Sequence, residues 1–206
     1  MELYAQYKIV PILPNDLQGV IDYLINFHYG YDPITEYLIK TGVDKFQLVG
    51  PSLTTKNEAT FRKGLSLKAV TKSHEIIGLS INEELPETIT ATTPELAILI
   101  NELNKTMNDK LIRCSTLLTR ILTVHPKRRG EGIGKALLLE TARVAKQNNF
   151  NQIRAHCISA YSAKLFENIG FNYVQSVAYK DFKINGNPVF ELNPPHTHVH
   201  GMVLEL

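Results

Sequence analysis

The stretch "LTVHPKRRGEGIGKALLLE", residues 122–140, places glycines at the alternate positions 130, 132 and 134, between an apolar, β-branched run and a run with helical periodicity. Glycine there costs chain entropy and packs nothing, so its use is to let backbone amides converge where a helix N-terminus adds partial positive charge. Spacing rules out two familiar phosphate loops. A Walker loop ending at Gly134-Lys135 would need glycine where Arg129 stands and a hydroxyl where Ala136 stands. The dinucleotide fingerprint needs its third glycine one residue later than Gly134, and Lys135 is there instead. What remains is a strand-to-helix bend suited to a diphosphate. Arg128, Arg129 and Lys135 add charge at its rim, and Leu137, Leu138 and Leu139 anchor the helix.

The rest of the chain supplies the sheet this bend needs. "YKIVPI" (7–12) reads as a strand, and Leu17, Val20, Ile21, Leu24 and Ile25 repeat at helical spacing behind a cap at Asn15. Residues 41–64 have no period and are expected to be irregular. Residues 65–85 read as a hairpin turning on "KSHE", and a helix is expected after Thr93-Pro94. Strand 115–126, the glycine bend, helix 133–150, strand 151–158, helix 159–170, strand 171–182, a turn at 185–188 and a last extended piece complete the order. This sequence predicts an α/β (α+β) fold: a mixed sheet covered by helices.

With 206 residues, 44% of them hydrophobic, the chain fits one domain spanning 1–206. The balance of 22 Lys and Arg against 20 Asp and Glu gives no nucleic-acid surface. No apolar run approaches the ~18 residues of a membrane span, and "MELYAQYKIV" has no targeting character, so a cytoplasmic protein with no membrane partner is expected. Cys114 and Cys157 are expected as reduced thiols in buried strands. Monomer is the expected state.

"LTVHPKRRGEGIGKALL" resembles motif A of the GCN5-related N-acetyltransferase (GNAT) superfamily, and "SAKLFENIGF" (162–171) resembles its second signature. "YDPIT" (31–35), "CISAYSAKLFENIGF" and "PPHTHV" resemble, in order, three segments of the insect-type arylalkylamine N-acetyltransferases. The resemblance implies a mostly antiparallel central sheet, splayed at the cofactor site and flanked by helices. It implies acetyl-coenzyme A as cosubstrate, with pyrophosphate on Arg128, Arg129, Gly130, Gly132, Ile133, Gly134 and Lys135. Pantetheine would lie along Leu122, Thr123 and Val124, near Ser159, Ser162, Phe166 and Tyr161.

Acetyl transfer to an amine needs a base, because alkylammonium groups titrate near about 10. Asp32 stands where the family has glutamate as base, but the same residue is suited to cap a helix beginning at Pro33, and Glu36 is the substitute. By the same resemblance, Ser162 matches a substrate-handling or proton-donating serine, while the other such serine falls on Ile158, beside Ser159. His196 would serve near the amine as relay or wall. Tyr179 is a further candidate donor. A backbone N–H, that of Val124, is the expected oxyanion partner.

Three alternating histidines, His196, His198 and His200, would share a strand face like a metal site, yet no metal is expected because no Cys or carboxylate lies beside them before Glu205. Tyr29, Tyr31 and Tyr37 favour an aromatic amine, with Tyr29, Tyr31, Ser159 and His196 as acceptor contacts. Glu83, Glu84 or Glu87 would instead select a diamine such as agmatine. A protein N-acetyltransferase and a non-catalytic acyl-coenzyme A sensor are the alternative functions.

Overall fold

The strand candidates pair into one seven-stranded sheet in the computed structural model, which describes residues 7–49 and 61–206. In chain order the strands are β1 (Tyr7–Pro11), β2 (Leu67–Thr71), β3 (Ile76–Glu84), β4 (Thr116–Val124), β5 (Gln152–Cys157) and β6 (Asn172–Ala178). A small hairpin, β7 (Lys183–Ile184) and β8 (Asn187–Pro188), turns on Asn185 and Gly186, both at positive φ. β9 (His198–Glu205) then returns to the large sheet, whose order is β1-β2-β3-β4-β5-β9-β6. Every pairing in it is antiparallel except β4 with β5.

Helices cover both faces. α1 (Leu17–Phe27), α2 (Pro33–Lys40) and α3 (Pro94–Lys110) supply Leu24, Ile34 and Leu99 to one buried cluster. α4 (Ile133–Gln147) and α5 (Ala160–Glu167) supply Leu137, Leu138 and Phe166 to the other. Each start follows a local rule. Thr93 and Ser159 cap α3 and α5 with their hydroxyls, and α2 and α3 both open on proline. α3 crosses β9 so closely that a Cβ on Gly201 would lie 2.4 Å from Met107 Sδ. Ser80 and Asn82 of β3 are buried and are satisfied by Ser66 and by Thr141 of α4, which ties that helix to the sheet.

The feature that positions the site is a short register. Only Thr116–Thr119 of β4 pair with β5, opposite Gln152–Ala155. Beyond Thr119, β4 continues to Val124 against β3 alone, while β5 stays paired with β9 through Cys157. The sheet therefore parts between Arg120–Val124 and the end of β5. The expected splayed, mostly antiparallel sheet is the observed one.

Several expectations shift. The strand expected over 171–182 ends at Ala178, and Tyr179–Asp181 form a 3-10 turn. The helix expected over 159–170 ends at Glu167, with Gly170 at φ +105° closing the turn. Lys45–Val49, within the span expected to be irregular, forms a 3-10 turn, and residues 50–60 of that span lie outside the described residues. Cys157 is buried in β5 as expected, whereas Cys114 is exposed ahead of β4, because the strand begins two residues after it.

Candidate active site

The glycine bend sits at the mouth of the gap between β4 and β5. Gly130 and Gly132 have φ of +86° and +79°, a region that penalises a Cβ, and a Cβ at either would meet nothing. Conformation alone therefore requires glycine at both. Gly134 differs: a Cβ there would lie 3.1 Å from Leu165 Cδ2, so this glycine lets α4 approach α5. The first α4 amide with a helical partner is that of Ala136, which donates to the Gly132 carbonyl. The amides of Ile133, Gly134 and Lys135 precede it and are directed out of the helix end.

The gap's inner edge is β4. The His125 amide donates to Ile77 of β3, so strand alternation turns the N–H and C=O of Val124 and Leu122 away from β3, toward the gap. Those of Thr123 face β3. A cavity of about 860 Å3 fills the gap. Arg128, Arg129, Gly130, Gly132, Ile133 and Gly134 line it at one end with Lys135. Leu122, Thr123, Val124, Ser159, Ser162 and Phe166 line its middle, and Tyr161 lies beside them. Tyr29, Tyr31, Asp32, Glu36 and His196 line it as well. The structure thus brings the cofactor candidates together with Tyr29, Tyr31, Asp32, Ser159, Ser162 and His196 on one cavity.

Charge at the rim is unequal. Arg128 Nε is held by both oxygens of Glu131, at 2.7 and 2.8 Å. Arg129 makes no ion pair among the described residues and lies with its guanidinium carbon 5.9 Å from the centre of the Tyr31 ring. Its charge is therefore less committed than that of Arg128 at the same rim.

Asp32 is the cap of α2. Its Oδ1 accepts from the amides of Ile34 and Thr35, at 3.1 and 3.0 Å, and its Oδ2 accepts from the Thr35 hydroxyl. Thr35 Oγ1 in turn accepts from the Gly30 amide. The carboxylate is thus fixed at the cavity wall. His28 lines the same wall; burial lowers its pKa, opposed by the Asp32 charge and assisted by Arg129, so its imidazole is neutral. Glu36 also lines the cavity but is paired with Lys40 on the exposed side of α2.

Ser159 caps α5 by accepting from the Ser162 amide, and its hydroxyl donates to Ser162 Oγ, which donates on to the Ser159 carbonyl. His196 Nδ1 accepts from the Ala160 amide, leaving the neutral ring's proton on Nε2. Burial pushes the Cys157 thiol up to about 12, so this cavity-lining sulfur stays protonated and is no nucleophile.

Some candidates fall elsewhere. His196 precedes β9, after Pro194-Pro195, so only His198 and His200 share a strand face, stacked at 5.7 Å. Among the described residues no three His, Cys, Asp or Glu side chains gather as a metal cage. Tyr179 donates its hydroxyl to the Ile158 carbonyl at 2.7 Å and is buried outside the cavity, which removes it as a donor there. Tyr37 packs against Phe190 instead of the cavity. Glu83 and Glu84 are spent on Arg120 and Lys63, and with Glu87 they lie outside the cavity lining. His125 braces the bend, its ring 4.3 Å from that of Phe27 and its Nδ1 accepting from the Lys127 amide. Sequence reasoning missed His28, Arg120 and His156 as lining groups, because no local pattern marks a residue whose partners lie across the sheet.

A sheet parted beside a glycine bend, with a helix N-terminus at the opening, offers a place for an anionic group such as a diphosphate. Comparison with known proteins supplies a motif match and the fold. Residues 119–171 match the family model described as "Acetyltransferase (GNAT) family". The fold is that of arylalkylamine N-acetyltransferase 2 from Aedes aegypti, with a TM-score of 0.82 at 21% identity over 97% of this chain and 98% of that one. Drosophila melanogaster polyamine N-acetyltransferase, which forms N-acetylagmatine, superposes with a TM-score of 0.77 at 17% identity, over 97% of this chain and 100% of that one. A phosphinothricin acetyltransferase from Sinorhizobium meliloti in complex with acetyl-coenzyme A reaches 0.61 at 15% identity, over 98% and 89%. The chain thus carries a GNAT family match over residues 119–171 and has the fold of the insect arylalkylamine N-acetyltransferases.

Proposed function

We propose that this protein transfers acetyl from acetyl-coenzyme A to the primary amine of a small arylalkylamine. The observation that carries the reading is the single cavity that joins the diphosphate bend to the wall of Tyr29, Tyr31 and Asp32 through the gap beside β4. Its residues fit the cofactor: the helix-end amides, an Arg129 with no ion pair among the described residues and the turned-out backbone of Leu122 and Val124 offer what a pyrophosphate and a pantetheine amide need. Bound there, acetyl-coenzyme A supplies an activated acetyl group as a thioester.

The chain's own groups then divide the work. Asp32 takes the ammonium proton, directly or through one water, beside the neutral imidazole of His28. The Val124 amide stabilises charge on the carbonyl oxygen. His196 Nε2–H is the donor near the leaving sulfur, and Ser162 takes that part only by giving up its bond to the Ser159 carbonyl. With the Cys157 thiol protonated, attack is direct and no acyl-enzyme on that residue is involved. Aromatic walls favour an amine that carries a ring.

Thiol release from acetyl-coenzyme A, measured across tyramine, tryptamine, agmatine, spermidine and short peptides, is expected to be fastest with the two aromatic amines. Binding of coenzyme A without thiol release for any of these would make the protein a sensor and end the enzymatic reading.

A further inference from the structure

The part of the cavity under α3 carries a histidine that acetyl transfer does not use. Ile153, Ala155 and Cys157 of β5 pack into the cluster beneath α4 and α5, so alternation turns Arg154 and His156 to the opposite face. Arg154 marks that face by a 2.5 Å bond to Asn108 of α3. There His156 lines the cavity with the apolar wall of Ile81, Ile89, Leu96, Ile100 and Leu118. Neither of its ring nitrogens is hydrogen-bonded among the described residues, and Nε2 is closed to water. Thr92, also in the lining, keeps a buried hydroxyl without a partner among the described residues. Buried polar atoms left unpaired are destabilising, so these two on one cavity's lining point to partners that a ligand brings.

The electrostatics narrow what that ligand is. Burial, then the Arg154 and Arg120 charges, lower the His156 pKa to about 4, so at neutral pH the ring is uncharged, with one donor and one acceptor nitrogen. Acids of the cavity lining, Asp32 and Glu36, both belong to the start of α2. Arg120, which also lines the cavity, is already paired with Glu83 at 3.1 Å and bonded to the Thr90 carbonyl. A second ammonium placed near His156 would meet guanidinium groups and, among the described residues, no unspent carboxylate. A flat apolar ring with one neutral polar substituent satisfies both the wall and the imidazole.

Building on the arylalkylamine reading, we propose that His156 is a specificity-determining residue, hydrogen-bonded to a neutral polar group on the acceptor's ring, such as a phenol hydroxyl or an indole N–H. The test compares kcat/KM for tyramine and phenethylamine, which differ only by that hydroxyl, in the wild type and in His156→Phe and His156→Gln. The wild type is expected to prefer tyramine by about tenfold. In His156→Phe the ratio falls to about one, and His156→Gln restores part of it. A wild-type ratio near one overturns the proposal before any variant is made, as does a ratio retained in His156→Phe. Turnover of neither amine, with agmatine or spermidine accepted instead, overturns the arylalkylamine reading itself, a result distinct from failure at His156 alone.

Discussion

Asparagine in place of Asp32 is expected to lower kcat/KM for an aromatic amine by about 10²- to 10⁴-fold near neutral pH, the usual worth of a general base. Asparagine caps helices as well as aspartate does. Its Oδ1 can still accept from the Ile34 and Thr35 amides that Asp32 now serves, and Thr35 Oγ1 can accept from its amide group as it does from Gly30. The melting temperature of Asp32→Asn should therefore stay within ~2 °C of the wild type, which separates proton transfer from capping. The pH profile carries the sign. An alkylammonium loses its proton unaided as pH approaches about 10, so the variant's rate should climb roughly tenfold per pH unit while the wild type's flattens, and the deficit should shrink. A deficit of constant size from neutral pH to about 10 would mean that Asp32 acts only through α2, and the base would then have to be sought at His28 or Glu36.

Loss of the Arg129 guanidinium is the second large effect. Arg129→Ala is expected to weaken coenzyme A binding by about 10- to 100-fold in a calorimetric titration, since a charge-assisted contact to phosphate is about twice a neutral one. Acceptor KM should move by no more than ~5-fold, the worth of the exposed cation–π contact between Arg129 and Tyr31. Arg128→Ala makes the internal control. Its guanidinium is already held by Glu131, so less of its charge is available to a diphosphate, and its effect should be smaller. A larger loss at Arg128 than at Arg129, or a loss of amine affinity with coenzyme A binding intact, would overturn the roles given to the rim.

What could be read from the sequence is what is decided within a few residues. The bend was legible because positive φ at Gly130 and Gly132 and the start of α4 are properties of consecutive residues. The capping side of Asp32 was legible for the same reason, since Pro33 follows it directly. The splay came only from resemblance: it depends on β4 and β5 sharing four residue pairs, and register is fixed by packing across the sheet. Non-local partners explain the misses as well. Nothing near Tyr179 in sequence shows that its hydroxyl is spent on Ile158, and nothing near Glu83 shows Arg120. His196 was grouped with His198 and His200 by spacing, yet the strand begins only at His198, and the residue before that boundary turns elsewhere. His28 and His156 had no local signature at all; only the cavity identifies them.

The most direct measurement is a crystal structure with coenzyme A bound. The expected result has pyrophosphate oxygens within ~3 Å of amide nitrogens between Arg129 and Lys135, and the pantetheine arm running past Leu122 and Val124 toward Asp32. A cofactor bound elsewhere, with that bend filled by the protein's own side chains, would contradict it.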